Sequence, residues 1–202
     1  MNDGAVRLIL ASQSSYRAGV LAAAGLRVEA MAAHVDEAAI KACARAEGAS
    51  AGEAAMLLAS LKAERIARRY PDALVIAGDQ ILVCGEQWFD KPVDIDEARD
   101  HLRALRGKTH TLETAVLCQR GERRVWQHLA RPRLTMRDFS DAFLEQYLAR
   151  EGAVLTTTVG GYRVEGPGVQ LFERIEGEHG AIMGLPMLPL LEFLRQHGVL
   201  VG

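Results

Sequence analysis

The run Ala73-Leu74-Val75-Ile76-Ala77 is apolar at every position. A strand with one wet face alternates. One that does not alternate is covered on both faces, and such sheets are built from parallel strands joined by helices. The run therefore predicts a central strand of an α/β sheet, ending at Gly78-Asp79-Gln80. Residues 6–10 and 28–35 read as further short strands, and 18–24 as a helix stopped at Gly25. Ser50-Ala51-Gly52-Glu53 is a capping box that opens a long helix through Tyr70, stopped by Pro71. On it Leu57, Leu58 and Leu61 are expected to face a core, with Lys62, Glu64, Arg65 and Arg68 on the other sides. Residues 81–84 and 87–89 form a hairpin around Gly85-Glu86, and 110–119 and 123–129 another around Gly121-Glu122. Asp94 caps a helix over 95–106. Residues 139–150 are amphipathic, with Phe143, Leu144, Tyr147 and Leu148 apolar. Residues 154–175 read as irregular and strand-like, and Gly184-Leu185-Pro186 opens a last helix to Gln196. No repeat or linker divides the chain, which is read as one domain over 1–202.

A formal charge of −2 gives no basic surface for nucleic acid. Cys43, Cys84 and Cys118 are odd in number and match no zinc or disulfide spacing, so reduced thiols in a cytoplasmic protein are expected. No apolar run reaches the ~20 residues of a membrane helix.

The chemistry is concentrated where strands end. In Leu10-Ala11-Ser12-Gln13-Ser14-Ser15-Tyr16-Arg17 two serines and an arginine stand where a strand becomes a helix N-terminus. Free N–H groups and the helix dipole favour an anion there, and Arg17 adds a planar fork suited to phosphate. Ser14 either caps this helix or touches the anion. Asp79 follows the central strand, where active-site groups of open α/β sheets gather, and a buried carboxylate there must be paired, metal-bound or neutralised. Asp36-Glu37 is either a cap with a solvated first turn or part of the same site. Arg17, Lys62 and Lys91 would surround a polyphosphate, and Glu37 and Asp79 would hold a divalent cation, Mg²⁺ or Mn²⁺. No P-loop is present, so the phosphate cradle is of another kind.

In order and spacing these pieces resemble the Maf family of nucleotide pyrophosphatases, over nearly the whole chain. The family's Leu-Ala-Ser-x-Ser-Pro-x-Arg opening stands as Leu10 to Arg17, with Ser15 for proline. Its Asp-Glu is Asp36-Glu37, its Lys-Ala is Lys62-Ala63, and its aspartate motif is Ala77-Gly78-Asp79. Its Lys-Pro is Lys91-Pro92 and its Gly-Leu-Pro is Gly184-Leu185-Pro186. The resemblance implies a Maf/Ham1-like (inosine triphosphatase-like) α/β fold: a mixed, twisted central sheet flanked by helices, in two lobes around a cleft. It implies hydrolysis of a nucleoside triphosphate to monophosphate and pyrophosphate with a divalent cation. Asp79 is matched to the proton acceptor, with Lys62 and Lys91 as further catalytic groups. Ser12, Ser14, Tyr16, Arg17, Gln80 and Glu165 are expected to bind substrate, and Glu37 and Asp79 the metal, their two roles partly interchangeable. Tyr16, Gln80 and Glu165 match the positions that distinguish subgroups. Gln and Glu there resemble the 7-methyl-GTP subgroup, as does the run 168–177, whereas Tyr16 replaces its tryptophan and Ala18 replaces an arginine. The alternatives are the same reaction on UTP, dTTP or CTP, and a nucleotide-binding regulator of cell division. The expected partner is a small nucleotide, with no nucleic acid and no membrane; a homodimer is left open.

Overall fold

A computed structural model describes residues 6–201. The strands are β1 (Leu8–Leu10), β2 (Glu29–Ala30), β3 (Leu74–Cys84), β4 (Gln87–Phe89), β5 (Thr109–Arg120), β6 (Arg123–Ala130), β7 (Arg133–Met136) and β8 (Phe172–Glu176). The helices are α1 (Ser15–Ala23), α2 (Glu37–Ala46), α3 (Ala51–Ala67), α4 (Ile95–Leu105), α5 (Asp141–Glu151), α6 (His179–Ile182) and α7 (Met187–Gln196). The sheet is mixed, with order β2-β1-β3-β5-β7-β8; β4 pairs β3, and β6 pairs β5. The expected α/β class with a helix-flanked mixed sheet is thus the observed one. The described residues divide into two compact units, residues 6–79, 114–130 and 178–201, and residues 80–113 and 131–177.

In the first unit β1 runs parallel to β2 and to β3, with Ile9 opposite Glu29 and Val75. Leu8, Leu10, Leu74, Ile76, Val116 and Cys118 pack with Leu190, Phe193 and Leu194 of α7 into one core. The capping box is present: the Ser50 side chain accepts from the Glu53 N–H, and the Glu53 carboxylate from the Ser50 N–H. The core face of α3, however, is made largely of alanine. Ala51, Ala54, Ala55, Ala59, Ala63 and Ala67 are buried with Leu58 and Ile66, while Leu57 is 46% exposed. The small residues let the helix lie close, and Lys62 is buried where a solvated side chain was expected. The regular helix ends at Ala67, short of Tyr70.

Three further expectations are corrected. β3 is one strand of 11 residues, so Asp79 sits mid-strand and not at a carboxyl end. β2 shrinks to two exposed residues, and farther on His34, at φ 46°, turns the chain before α2. Of the stretch 154–175, read as strand-like, most forms the 3₁₀ turns Gly152–Thr157, Val159–Gly161 and Gly166–Leu171, and only β8 pairs as a strand.

In the second unit α4 is capped by Asp94 and held to α5 by Arg99 with Glu145 (2.7 Å) and Arg106 with Asp141 (2.5 Å). Gly161, at φ 71°, lies so close to α4 that an added Cβ would sit 3.1 Å from the Ala98 Cα. His110 and Tyr162, joined at 2.8 Å between Nε2 and Oη, pack with Phe172.

Candidate active site

The turn from β1 into α1 is pinned by its own serines. Ser14 caps α1, its Oγ accepting from the Arg17 N–H at 3.3 Å, and the Ser14 N–H donates to Ser12 Oγ at 3.2 Å. Both readings of Ser14 therefore begin from a cap. Arg17 reaches inward from the first turn. Its Nε donates to the Gly184 carbonyl (2.8 Å), and its Nη1 to the Gly78 carbonyl (3.0 Å) and Ser12 Oγ (3.3 Å). One guanidinium thus joins α1, β3 and the loop before α7. Glycine is needed at both carbonyl positions. A Cβ on Gly78 would lie 2.9 Å from the Ala115 carbonyl, and Gly184 has φ 95° with Arg17 Nη2 3.3 Å from where its Cβ would be. Tyr16, beside Arg17 on α1, is half-buried.

Asp79 follows Gly78 and is 4% exposed. Its Oδ1 lies 2.5 Å from Lys62 Nζ, and the same Nζ is 2.6 Å from Glu37 Oε1. A buried carboxylate or ammonium costs several kcal/mol unless it is paired; here each answers the other. Glu37 is the first residue of α2, after the Asp36 cap, where the helix dipole favours a carboxylate. Burial lowers the Arg17 guanidinium from its usual range, and the Asp79 and Glu37 charges oppose that shift. The structure therefore brings Ser12, Arg17, Glu37, Lys62 and Asp79 together in one network.

Two carboxylates already converge on one cation. They are hard oxygen donors, and magnesium is usually held by one or two such groups, with phosphates and waters completing its shell. The donor set fits a substrate-bridging divalent ion. Among the described residues no group of three or more His, Cys, Asp or Glu forms a fuller metal cage.

Gln80, Lys91 and Glu165 belong to the second unit. Gln80 is half-buried in β3, and Lys91 is exposed between β4 and α4. Glu165 precedes the 3₁₀ turn Gly166–Leu171; its Oε1 accepts from Arg163 Nε at 3.1 Å, while its Oε2 is buried without a hydrogen bond.

Other contributors were not foreseen. The Gly78 and Gly184 carbonyls hold Arg17. Thr114 Oγ1 donates to the Ala181 carbonyl (2.9 Å), fixing the segment that carries Gly184. Glu178 Oε1 accepts from the Met187 and Leu188 N–H groups (2.8 and 2.9 Å), so the start of α7 is satisfied by a distant carboxylate, with Pro186 making no side-chain cap. Backbone acceptors and remote caps leave no local pattern in a sequence.

In this α/β protein a lysine clamped between two carboxylates stands beside an arginine-anchored strand-to-helix turn. The chain belongs to the Maf family: residues 7–197 match the family described as Maf-like protein. It is 55% identical over 195 residues, 96% of this chain and 99% of the relative, to a protein of Granulibacter bethesdensis named nucleoside triphosphate pyrophosphatase. It is 54% identical, over 96% of each chain, to one of the same name from Rhodospirillum rubrum. It is also 46% identical, over 96% of this chain and 97% of the relative, to the 7-methyl-GTP pyrophosphatase of Rhizobium meliloti. Among the described residues no helix is long and apolar enough to cross a membrane.

Proposed function

We propose that this protein hydrolyses 7-methyl-GTP to the monophosphate and pyrophosphate. The broader reaction, cleavage of a nucleoside triphosphate between its α and β phosphates, is that of the family; the choice of base is our inference. The reaction is supported most by the Lys62 ammonium held between Asp79 and Glu37. Water adds to the α-phosphorus, the bond from that phosphorus to the bridging oxygen breaks, and pyrophosphate leaves with the electron pair. Such transfers depend on positioning and on stabilising charge. A divalent ion held by Glu37 and Asp79 would offset phosphate charge. Asp79, or Glu37 in the exchanged assignment, orients the water and accepts its proton. Lys62, beside Asp79 and Glu37, would offset charge on the phosphates. Arg17, its Nε and Nη1 bonded to protein oxygens, supplies fixed positive charge and holds Gly78 beside Asp79. Lys91 is assigned to the departing phosphates.

The choice of base rests on Glu165, with Gln80 and Tyr16 in support. Guanine presents adjacent N1–H and N2–H donors to an acceptor-only carboxylate. N7-methylation makes the ring cationic, which favours a carboxylate and an aromatic face. Uracil and thymine flank one N–H with two carbonyls that a carboxylate repels. The three unpaired cysteines suit a reducing compartment, and we place the protein in the cytoplasm. The test is pyrophosphate release from 7-methyl-GTP, GTP, CTP and UTP in ¹⁸O-water. Label in the monophosphate and the highest kcat/KM for 7-methyl-GTP are expected. Label in pyrophosphate overturns the point of attack; a UTP or CTP optimum overturns the base.

A further inference from the structure

Three charged side chains of the second unit are arranged at odds with plain stability. Glu151 is the last residue of α5, and its side chain is only 8% exposed. A carboxylate at a helix C-terminus opposes the dipole, and its burial adds a desolvation cost. Its Oε2 has no hydrogen bond and lies 3.5 Å from Arg163 Nη1. Arg163 is in turn 3.1 Å from Glu165 through Nε. The guanidinium therefore stands between two carboxylates, one from a helix end and one from a turn.

The backbone of Arg163 is fixed as firmly. Its N–H donates to Tyr147 Oη at 3.2 Å, and burial keeps that phenol protonated by raising its pKa. Its carbonyl lies against Gly168, where an added Cβ would come within 1.8 Å of the oxygen, so no other residue fits there. Only one oxygen of Glu165 is engaged; the other is buried and unpaired. Two carboxylates around one guanidinium also leave one negative charge in excess, which suits a cationic ring.

We infer that Arg163 is a positioning residue for base selection, holding Glu165 from one side while Glu151 anchors it from the other. This rests on the reading of Glu165 as the carboxylate that meets the base. Glu151 is kept at an unfavourable helix end because it fixes Arg163, and Arg163 fixes the rotamer of Glu165. The Glu165 carboxylate, whose side chain is 37% exposed, is then held in one orientation toward a ligand donor.

The test is a double-mutant cycle on kcat/KM for 7-methyl-GTP and UTP, in wild type, Arg163→Met, Glu165→Gln and the double variant. Glu165→Gln is expected to narrow the preference for 7-methyl-GTP over UTP by about one to two decades, the worth of a charge-assisted hydrogen bond. Arg163→Met is expected to narrow it by about tenfold through KM, with Arg163→Lys recovering part, because an ammonium keeps the charge without the two-pronged geometry. In the Glu165→Gln background Arg163→Met is expected to change the preference no further. Should Arg163→Met fold poorly, Glu151→Gln reads the same coupling: it narrows the preference in the wild-type background and not beside Glu165→Gln. A preference untouched by Arg163→Met and by Glu151→Gln, or effects that simply add to those of Glu165→Gln, would overturn the positioning role alone. A preference untouched by Glu165→Gln overturns the reading of Glu165 and this inference with it.

Discussion

Lys62 Nζ and Asp79 Oδ1, 17 residues apart in sequence, meet at 2.5 Å in the buried interior of the first unit. The lysine comes from the alanine-lined face of α3 and the aspartate from the middle of β3. Neither would be stable in that place without the other, so the pair is part of the core, and in the proposed reaction it is also the chemical centre.

Lys62→Met leaves Asp79 buried beside Glu37 with no cation between them. Removing one partner of a buried pair costs about 3–5 kcal/mol, and the unfolding free energy of the variant should fall by that order. A hard divalent ion can take the place of the ammonium. Added Mg²⁺ should therefore raise the Tm of Lys62→Met more than that of the wild type. Equal shifts in the two proteins would remove Glu37 and Asp79 from metal binding.

Asp79→Asn keeps an oxygen acceptor for Lys62 and removes the charge. Turnover should fall by ~10²–10⁴-fold, the usual worth of a general base, while circular dichroism stays native. Excess EDTA should abolish pyrophosphate release by the wild type and leave its Tm nearly unchanged. Normal turnover by folded Asp79→Asn would exclude it as base or ligand; full activity in EDTA after metal stripping would exclude the cation.

Gly78→Ala drives a methyl to within 2.9 Å of the Ala115 carbonyl, backbone that cannot move aside cheaply. Overpacking of this kind costs about 1–3 kcal/mol. The shift also carries the carbonyl that accepts from Arg17, so activity should fall together with stability. A variant as stable and active as wild type would show that β3 and β5 are more loosely apposed.

His110 is 1% exposed, and burial pushes its imidazole down to about 4 from the usual 6.5. The unfolded chain takes up a proton between these values that the native protein refuses. The stability it contributes is therefore complete above pH 6.5 and lost progressively toward pH 4, by about 3 kcal/mol at most. His110→Gln does not titrate, so the wild-type Tm should fall more steeply than the variant's across that window. Parallel curves would mean that His110 is charged in the native state or reached by water.

Much of this was legible in the chain. The uninterrupted Ala73–Ala77 run marked the central strand, the Ser50–Glu53 box marked α3, and both glycine hairpins paired as read. The place of Lys62 could also have been read. It follows Ala55, Leu58 and Ala59 at helical spacing and precedes Ile66, which puts it on the buried stripe. Its charge and the bulk of Leu57 argued the other way, since small alanines weigh little in a hydrophobic pattern. Asp79 looked like a strand end because a glycine and an acid usually stop a strand. Here Gly78 admits the β5 backbone and Lys62 answers the acid, so the strand runs on. Arg163 and Glu151 carried no local signal, because they meet through folding of irregular 3₁₀ turns against a helix end.

The most direct test of the account places 7-methyl-GTP and UTP at equal concentration in one reaction with the wild-type protein and Mg²⁺, and separates the nucleotides as they are consumed. The ratio of the two rates is the ratio of kcat/KM, free of differences in protein activity between assays. The account predicts that 7-methyl-GTP disappears first, by at least about tenfold, giving its monophosphate and pyrophosphate in equal amounts. Equal consumption, preference for UTP, or release of orthophosphate in place of pyrophosphate would contradict it.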